Sequence, residues 1–121
     1  MDVKRILDDL RASFLQLPTS KQLGNIASEL NRMKNWVRSQ NVHTQSQIRI
    51  CMGLVEFCAP GLLPDRVDDA ASLVDIQREL ARWYWNWDKI QNDLAKRQEL
   101  AKQAQEWSDQ VLAMSGLLEQ E

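Results

Sequence analysis

The side chains best suited to recognition chemistry lie between residues 78 and 96. Arg78, Arg82, Trp85, Lys89, Asn92 and Lys96 step 4-3-4-3-4, the repeat of one helix face, and form a ridge of four cations and one indole with no acid. Acids stand on either side: Asp75, Glu79 and Asp93 on one flank, Asp88 and Glu99 on the other. An arginine or lysine one turn from an indole can stack on its face, which is worth about 0.5–1 kcal/mol at an exposed site. Trp and Arg are also the side chains most enriched at interface hot spots. The ridge therefore reads as a contact for an acidic protein groove or a second copy of the chain, centred on Arg78, Arg82, Trp85, Lys89 and Lys96. The alternative ligand is a nucleic-acid strand, its phosphates on the cations and a base on Trp85, although four charges make a thin footprint. The same residues also fit a solvated face whose indole is covered by Arg and Lys stems or by the loop "APGLLPD".

Residues for catalysis or metal binding are sparse. Convergent Glu, Asp or His at i, i+3 or i+4 on an inward helix face is not found. Asp8 with Asp9 and Asp68 with Asp69 fall at helix starts, where carboxylates favour the macrodipole. Gly24, Gly53, Gly61 and Gly116 stand singly, so there is no phosphate-binding glycine loop. Cys51 and Cys58 are seven residues apart, about 10 Å along a helix, too far for a disulfide. They read as reduced core residues. The single histidine, His43, is not spaced to complete a metal site with them. No metal, cofactor or small-molecule ligand is expected, and no enzymatic activity.

One short arrangement resembles a known catalytic pattern. The stretch "RSQNVH" sets Arg38 and His43 at R-x4-H spacing, similar to the motif of the HEPN helical ribonucleases, a family of about this size. The resemblance covers only this hexapeptide and implies RNA cleavage by Arg38 and His43. Ser39 stands where that family usually carries Asn, Asp or His, and the motif lies in an early loop instead of a later helix. Read without the resemblance, His43 is an exposed loop residue or a partner for the end of the second helix.

The elements that must position these residues follow from composition and periodicity. The 121 residues fit one domain, residues 1–121, and scarce Gly (4) and Pro (3) among many good helix formers predict an all-α fold. A net charge of −2 supplies no global field for nucleic acid or an anionic membrane. No membrane-spanning run and no signal-peptide pattern occur, so no membrane partner and a cytoplasmic location are expected.

Val3, Leu7, Leu10, Phe14 and Leu17 mark a first helix over about 2–17, closed by Pro18. Thr19 with Gln22 and Thr44 with Gln47 form capping-box patterns before helices over about 20–39 and 45–59. The third is apolar around most of its girth and reads as central. "APGLLPD" breaks it, with Asp65 as the next N-cap.

From Arg66 to Ser115 neither Gly nor Pro occurs, so residues 66–118 are expected to form one long helix, about 75 Å if unbroken. Its first seam is Leu73, Ile76, Leu80, Trp83, Trp87, Ile90 and Leu94. Its second is Leu100, Ala104, Trp107, Val111, Met114 and Leu118, and the phase slip between them marks either local overwinding or a turn near residues 96–99. Three short helices packed on such a rod would leave its second half bare. Self-association through Leu100, Trp107, Val111, Met114 and Leu118 is then expected, giving a homo-oligomeric, non-enzymatic scaffold or adaptor. The competing account folds that seam back inside a four- or five-helix bundle.

Overall fold

The apolar spacing produces six α-helices and one 3-10 turn in the computed structural model, which describes residues 2–117. They are α1 (Val3–Leu15), α2 (Thr19–Ser39), α3 (Thr44–Cys58), the turn Ala59–Leu62, α4 (Val67–Trp85), α5 (Trp87–Ile90) and α6 (Leu94–Ser115). The fold is an all-α bundle, as the composition implies.

The capping patterns are used differently from the expectation. Pro18 precedes α2 with no side-chain cap, and the Gln22 amide donates to the Leu17 carbonyl at 3.0 Å. Thr44 is buried, and its hydroxyl donates to the carbonyls of Trp36 at 3.2 Å and Asn41 at 2.6 Å, tying the start of α3 to the end of α2. Gln47 reaches across to the carbonyl and carboxylate of Glu29 on α2. Arg66, not Asp65, takes the N-cap position of α4.

The long rod is not formed. It breaks twice, at Asn86 and over residues 91–93, ahead of the expected position at 96–99. Asn86 leaves helical geometry at φ −111° and ψ 11°, and its side-chain amide donates back to the Arg82 carbonyl at 2.8 Å. Asp93 is extended, and its carboxylate accepts from the Lys96 N–H at 3.0 Å to start α6. Short polar side chains that bond their own neighbouring backbone stop and restart helices without Gly or Pro.

The break lets α6 run antiparallel to α2. Arg97 sits at the end of α2, donating to the carbonyls of Val37 (3.3 Å) and Arg38 (3.1 Å). Further along, Lys34 meets Gln105 at 2.6 Å and the Ser108 hydroxyl donates to the Ala27 carbonyl at 2.8 Å. Ala27, Ala101, Ala104 and Ser108 are buried here, and such small side chains let two helices approach closely. On the other side α3 pairs with α4, where Gln45 donates to the Tyr84 carbonyl at 3.0 Å. Helices α4 and α6 meet where Trp83 stacks on Trp107, ring centres 4.8 Å apart, and Arg66 at the start of α4 donates to the Met114 carbonyl at 2.7 Å. Helix α1 lies on α3, with Leu7 over Gly53 and Phe14 beside Phe57.

This packing overturns the expectation of a bare second seam. Leu100, Trp107 and Val111 are 3%, 7% and 0% exposed within the single chain. Met114 is half-buried against the same core, and Leu118 lies outside the described residues. The fold-back account is the one the chain adopts.

Candidate functional site

Helix α4 has two apolar faces. Ala70, Leu73, Ile76, Leu80 and Trp83 point inward and are buried. On the outer side Val67, Ala71, Val74, Arg78, Ala81 and Trp85 step 4-3-4-3-4, which places them in one stripe. Val67, Val74 and Trp85 are 56%, 46% and 76% exposed. Trp85 is the last residue of α4, and its indole meets Tyr84 edge-on at 5.1 Å without being covered. Its neighbours Trp83 and Trp87, in contrast, are core residues.

At the opposite end of α4 the stripe opens into a groove of about 450 Å³ between α4 and the 3-10 turn, lined by Pro60, Leu63, Val67, Ala70, Ala71 and Val74 with Glu56 at its edge. Leu63 is 55% exposed there. Reasoning from the sequence missed this groove. The signal is present, as Val67, Ala71 and Val74 keep helical spacing, but the inward seam from Leu73 to Trp83 is the stronger apolar repeat of the same helix.

The basic ridge is only partly assembled. Arg78, Arg82 and Trp85 share α4, Lys89 is on α5, and Lys96 lies beyond the second break on α6. Lys96 instead borders a groove between α4 and α6 with Glu79, Glu99 and Glu106. Arg78 lies 3.8 Å from Asp75, Arg82 pairs with Glu79, and Lys96 lies 3.5 Å from Glu99. Among the described residues Lys89 is the one ridge cation with no such ion pair.

Arg38 and His43 do not come together as a hydrogen-bonded pair. Arg38 is exposed in the last turn of α2. His43 is exposed at the N-cap position of α3, its ring 6.5 Å from that of Trp36 and its backbone N–H donating to the Asn41 side chain at 2.8 Å.

Among the described residues no group of three or more His, Cys, Asp or Glu is placed to hold a metal ion. Cys51 and Cys58 are free thiols in the core. Burial, with the nearby Glu29 charge, pushes the Cys51 thiol far above its ordinary range, and burial pushes Cys58 up to about 11. Neither thiol is poised as a nucleophile near neutral pH. No described helix is long and apolar enough to cross a membrane. No family model, curated protein or solved structure matches this chain.

Proposed function

We propose that this chain is a non-enzymatic helical interaction module whose working surface is the outer face of α4, with Trp85 as anchor and Arg78, Arg82 and Lys89 around it. The observation that carries the reading is the indole at 76% exposure between two buried tryptophans. An aromatic ring of that size in water represents binding energy not yet realised, and Trp is among the residues that dominate interfaces when desolvated. The Val67–Ala71–Val74 stripe and the groove beside it extend the same face.

A protein partner fits this surface better than a nucleic-acid strand does. Arg78, Arg82 and Lys96 each have an acid within ion-pair distance, which reduces the local potential that phosphate binding requires. The seam Leu100, Trp107 and Val111 is used inside the bundle, so association is assigned to α4 and not to α6.

The test is a photo-crosslinking amino acid at position 89, exposed one turn beyond Trp85 so that the indole is kept, in cells making the chain, with one at Asn31 on the exposed side of α2 as control. Discrete protein adducts from position 89 that are missing from position 31 are expected. Position 89 giving nothing beyond the control would sink the reading.

A further inference from the structure

The outer face of α4 is complementary to itself. Its two apolar features, the exposed Trp85 indole and the groove at Pro60, Leu63, Val67 and Ala71, lie at opposite ends of one helix, about 27 Å apart at 1.5 Å per residue. A projecting group at one end and a receiving groove at the other are what an isologous contact requires, because a twofold axis across the middle of the helix brings each onto the other.

We propose that the occupant of this face is a second copy of the same chain, docked with its α4 antiparallel about a twofold near Asp75 and Ile76. This rests on the reading of α4 as a docking face and names its partner. The outer stripe Val67, Ala71, Val74, Arg78, Ala81, Trp85 has coiled-coil spacing. Under the twofold, Val67 meets the partner's Trp85, Ala71 meets the partner's Ala81, and Val74 meets the partner's Arg78. The Ala71–Ala81 layers flank the centre on both sides and let the helices approach closely there. The Tyr84–Trp85 ring pair of each chain then covers Leu63, Val67 and Ala70 of the other.

Charge supports the same register. Asp68, Asp75 and Arg82 lie one residue on from Val67, Val74 and Ala81, along a single flank of the stripe. The twofold sets Asp68 against the partner's Arg82 and Arg82 against the partner's Asp68, forming two ion pairs at the rim. The two Asp75 side chains fall close to the axis, and each already has Arg78 of its own chain at 3.8 Å. A parallel pairing would set Trp85 on the partner's Trp85, leave both grooves unfilled, and place Asp75 and Arg82 against uncharged Ala70 and Gln77. The antiparallel arrangement fills both grooves and pairs Asp68 with Arg82 twice, against one Asp75–Asp75 approach at the axis that Arg78 of each chain offsets.

The contact is one helix long, smaller than a standard interface of about 800 Å² per partner, so micromolar association is expected. Sedimentation of the full chain between about 5 and 500 µM should show the mass rising from 14.0 kDa toward twice that value. Trp85→Ala removes an anchor at two symmetric sites and is expected to weaken the dimer roughly 1,000-fold, leaving the helical circular-dichroism spectrum unchanged. Asp68→Arg alone, or Arg82→Asp alone, places like charges opposite each other twice and should weaken it about tenfold. An equimolar mixture of those two variants restores both ion pairs and should recover association as a heterodimer.

A monomer at 500 µM overturns the proposal, as does a dimer indifferent to Trp85→Ala or a mixture no tighter than its separate components. If the chain is monomeric while position 89 crosslinks to a different protein, self-pairing fails and the docking reading of α4 stands. If position 89 crosslinks to nothing, both fail.

Discussion

Trp107→Ala measures directly where the last helix spends its apolar surface. The indole is 7% exposed and stacks on Trp83 at 4.8 Å with the ring planes 25° apart. Deleting a buried indole costs about 3–5 kcal/mol through lost transfer energy and the cavity left behind, so about 4 kcal/mol is expected. The stability of a domain of this size is on the order of 10 kcal/mol, and with a urea m-value of about 1.5 kcal/mol/M the midpoint should fall by roughly 2.7 M. Equilibrium unfolding followed by far-ultraviolet circular dichroism avoids the loss of a fluorophore. The measurement is made at 1 and 10 µM protein in a Trp85→Ala background, where pairing through α4 is expected to be about 1,000-fold weaker and negligible at both concentrations. An indole shared between chains would make the shift depend on concentration by mass action, whereas the stack within one chain makes it the same at both. A loss under 1 kcal/mol, or one that moves with concentration, would refute the packing described for α6. Adding Trp83→Ala completes a double-mutant cycle in which about 1 kcal/mol of coupling is expected from the stacked rings.

Two further outcomes follow from the core. Arg97 is buried, and its guanidinium satisfies two carbonyls at the end of α2. Arg97→Met keeps the stem and removes those bonds, so a loss of about 2 kcal/mol, or about 8 °C in Tm, is expected; an equal loss from Arg38→Met, whose side chain is exposed, would show that the bonds do not matter. The two thiols make stability pH-dependent on the alkaline side. Their folded values lie above the ordinary 9.0, Cys58 at about 11 and Cys51 higher, so the neutral form is favoured by folding. That contribution is fully present below pH 9 and is lost as the pH rises toward 11 and beyond, because the unfolded chain releases protons first. The urea midpoint should therefore fall over this range, and less steeply in the Cys51→Ala, Cys58→Ala double variant; identical slopes would refute it.

Much of the fold could be read along the chain because the signal is local. The first three helices follow the apolar repeats within a few residues, and Pro18 and "APGLLPD" act as breakers through proline's fixed φ and missing N–H. Trp83 and Trp87 being buried while Trp85 is exposed also follows from the 100° advance per residue. The interruption between α4 and α6 was harder to see. Asn86 and Asp93 stop and restart the helix with single hydrogen bonds to neighbouring backbone, and both residue types are tolerated inside helices elsewhere. Leu94, which the heptad count placed in the first seam, lies at the start of α6 and is 58% exposed. Arg97, which no apolar repeat marks as inward, is buried.

The candidate site shows the same division. The types and spacing of Arg78, Arg82 and Trp85 were sufficient to put them on one outward helix face. That Lys96 does not belong with them, and that Val67, Ala71 and Val74 do, became visible only once α4 had an end and an inward side.

Sequence alone determined the all-α class, the first three helices and the outward direction of Trp85, because helix periodicity and proline stereochemistry act within a few residues. Only the tertiary structure decided that Leu100, Trp107 and Val111 are covered by their own chain, since that depends on a turn set by two hydrogen bonds and on the close approach of α2 to α6. It likewise decided which side of α4 remained in water, because a stripe of valine and alanine is core or surface according to what packs against it.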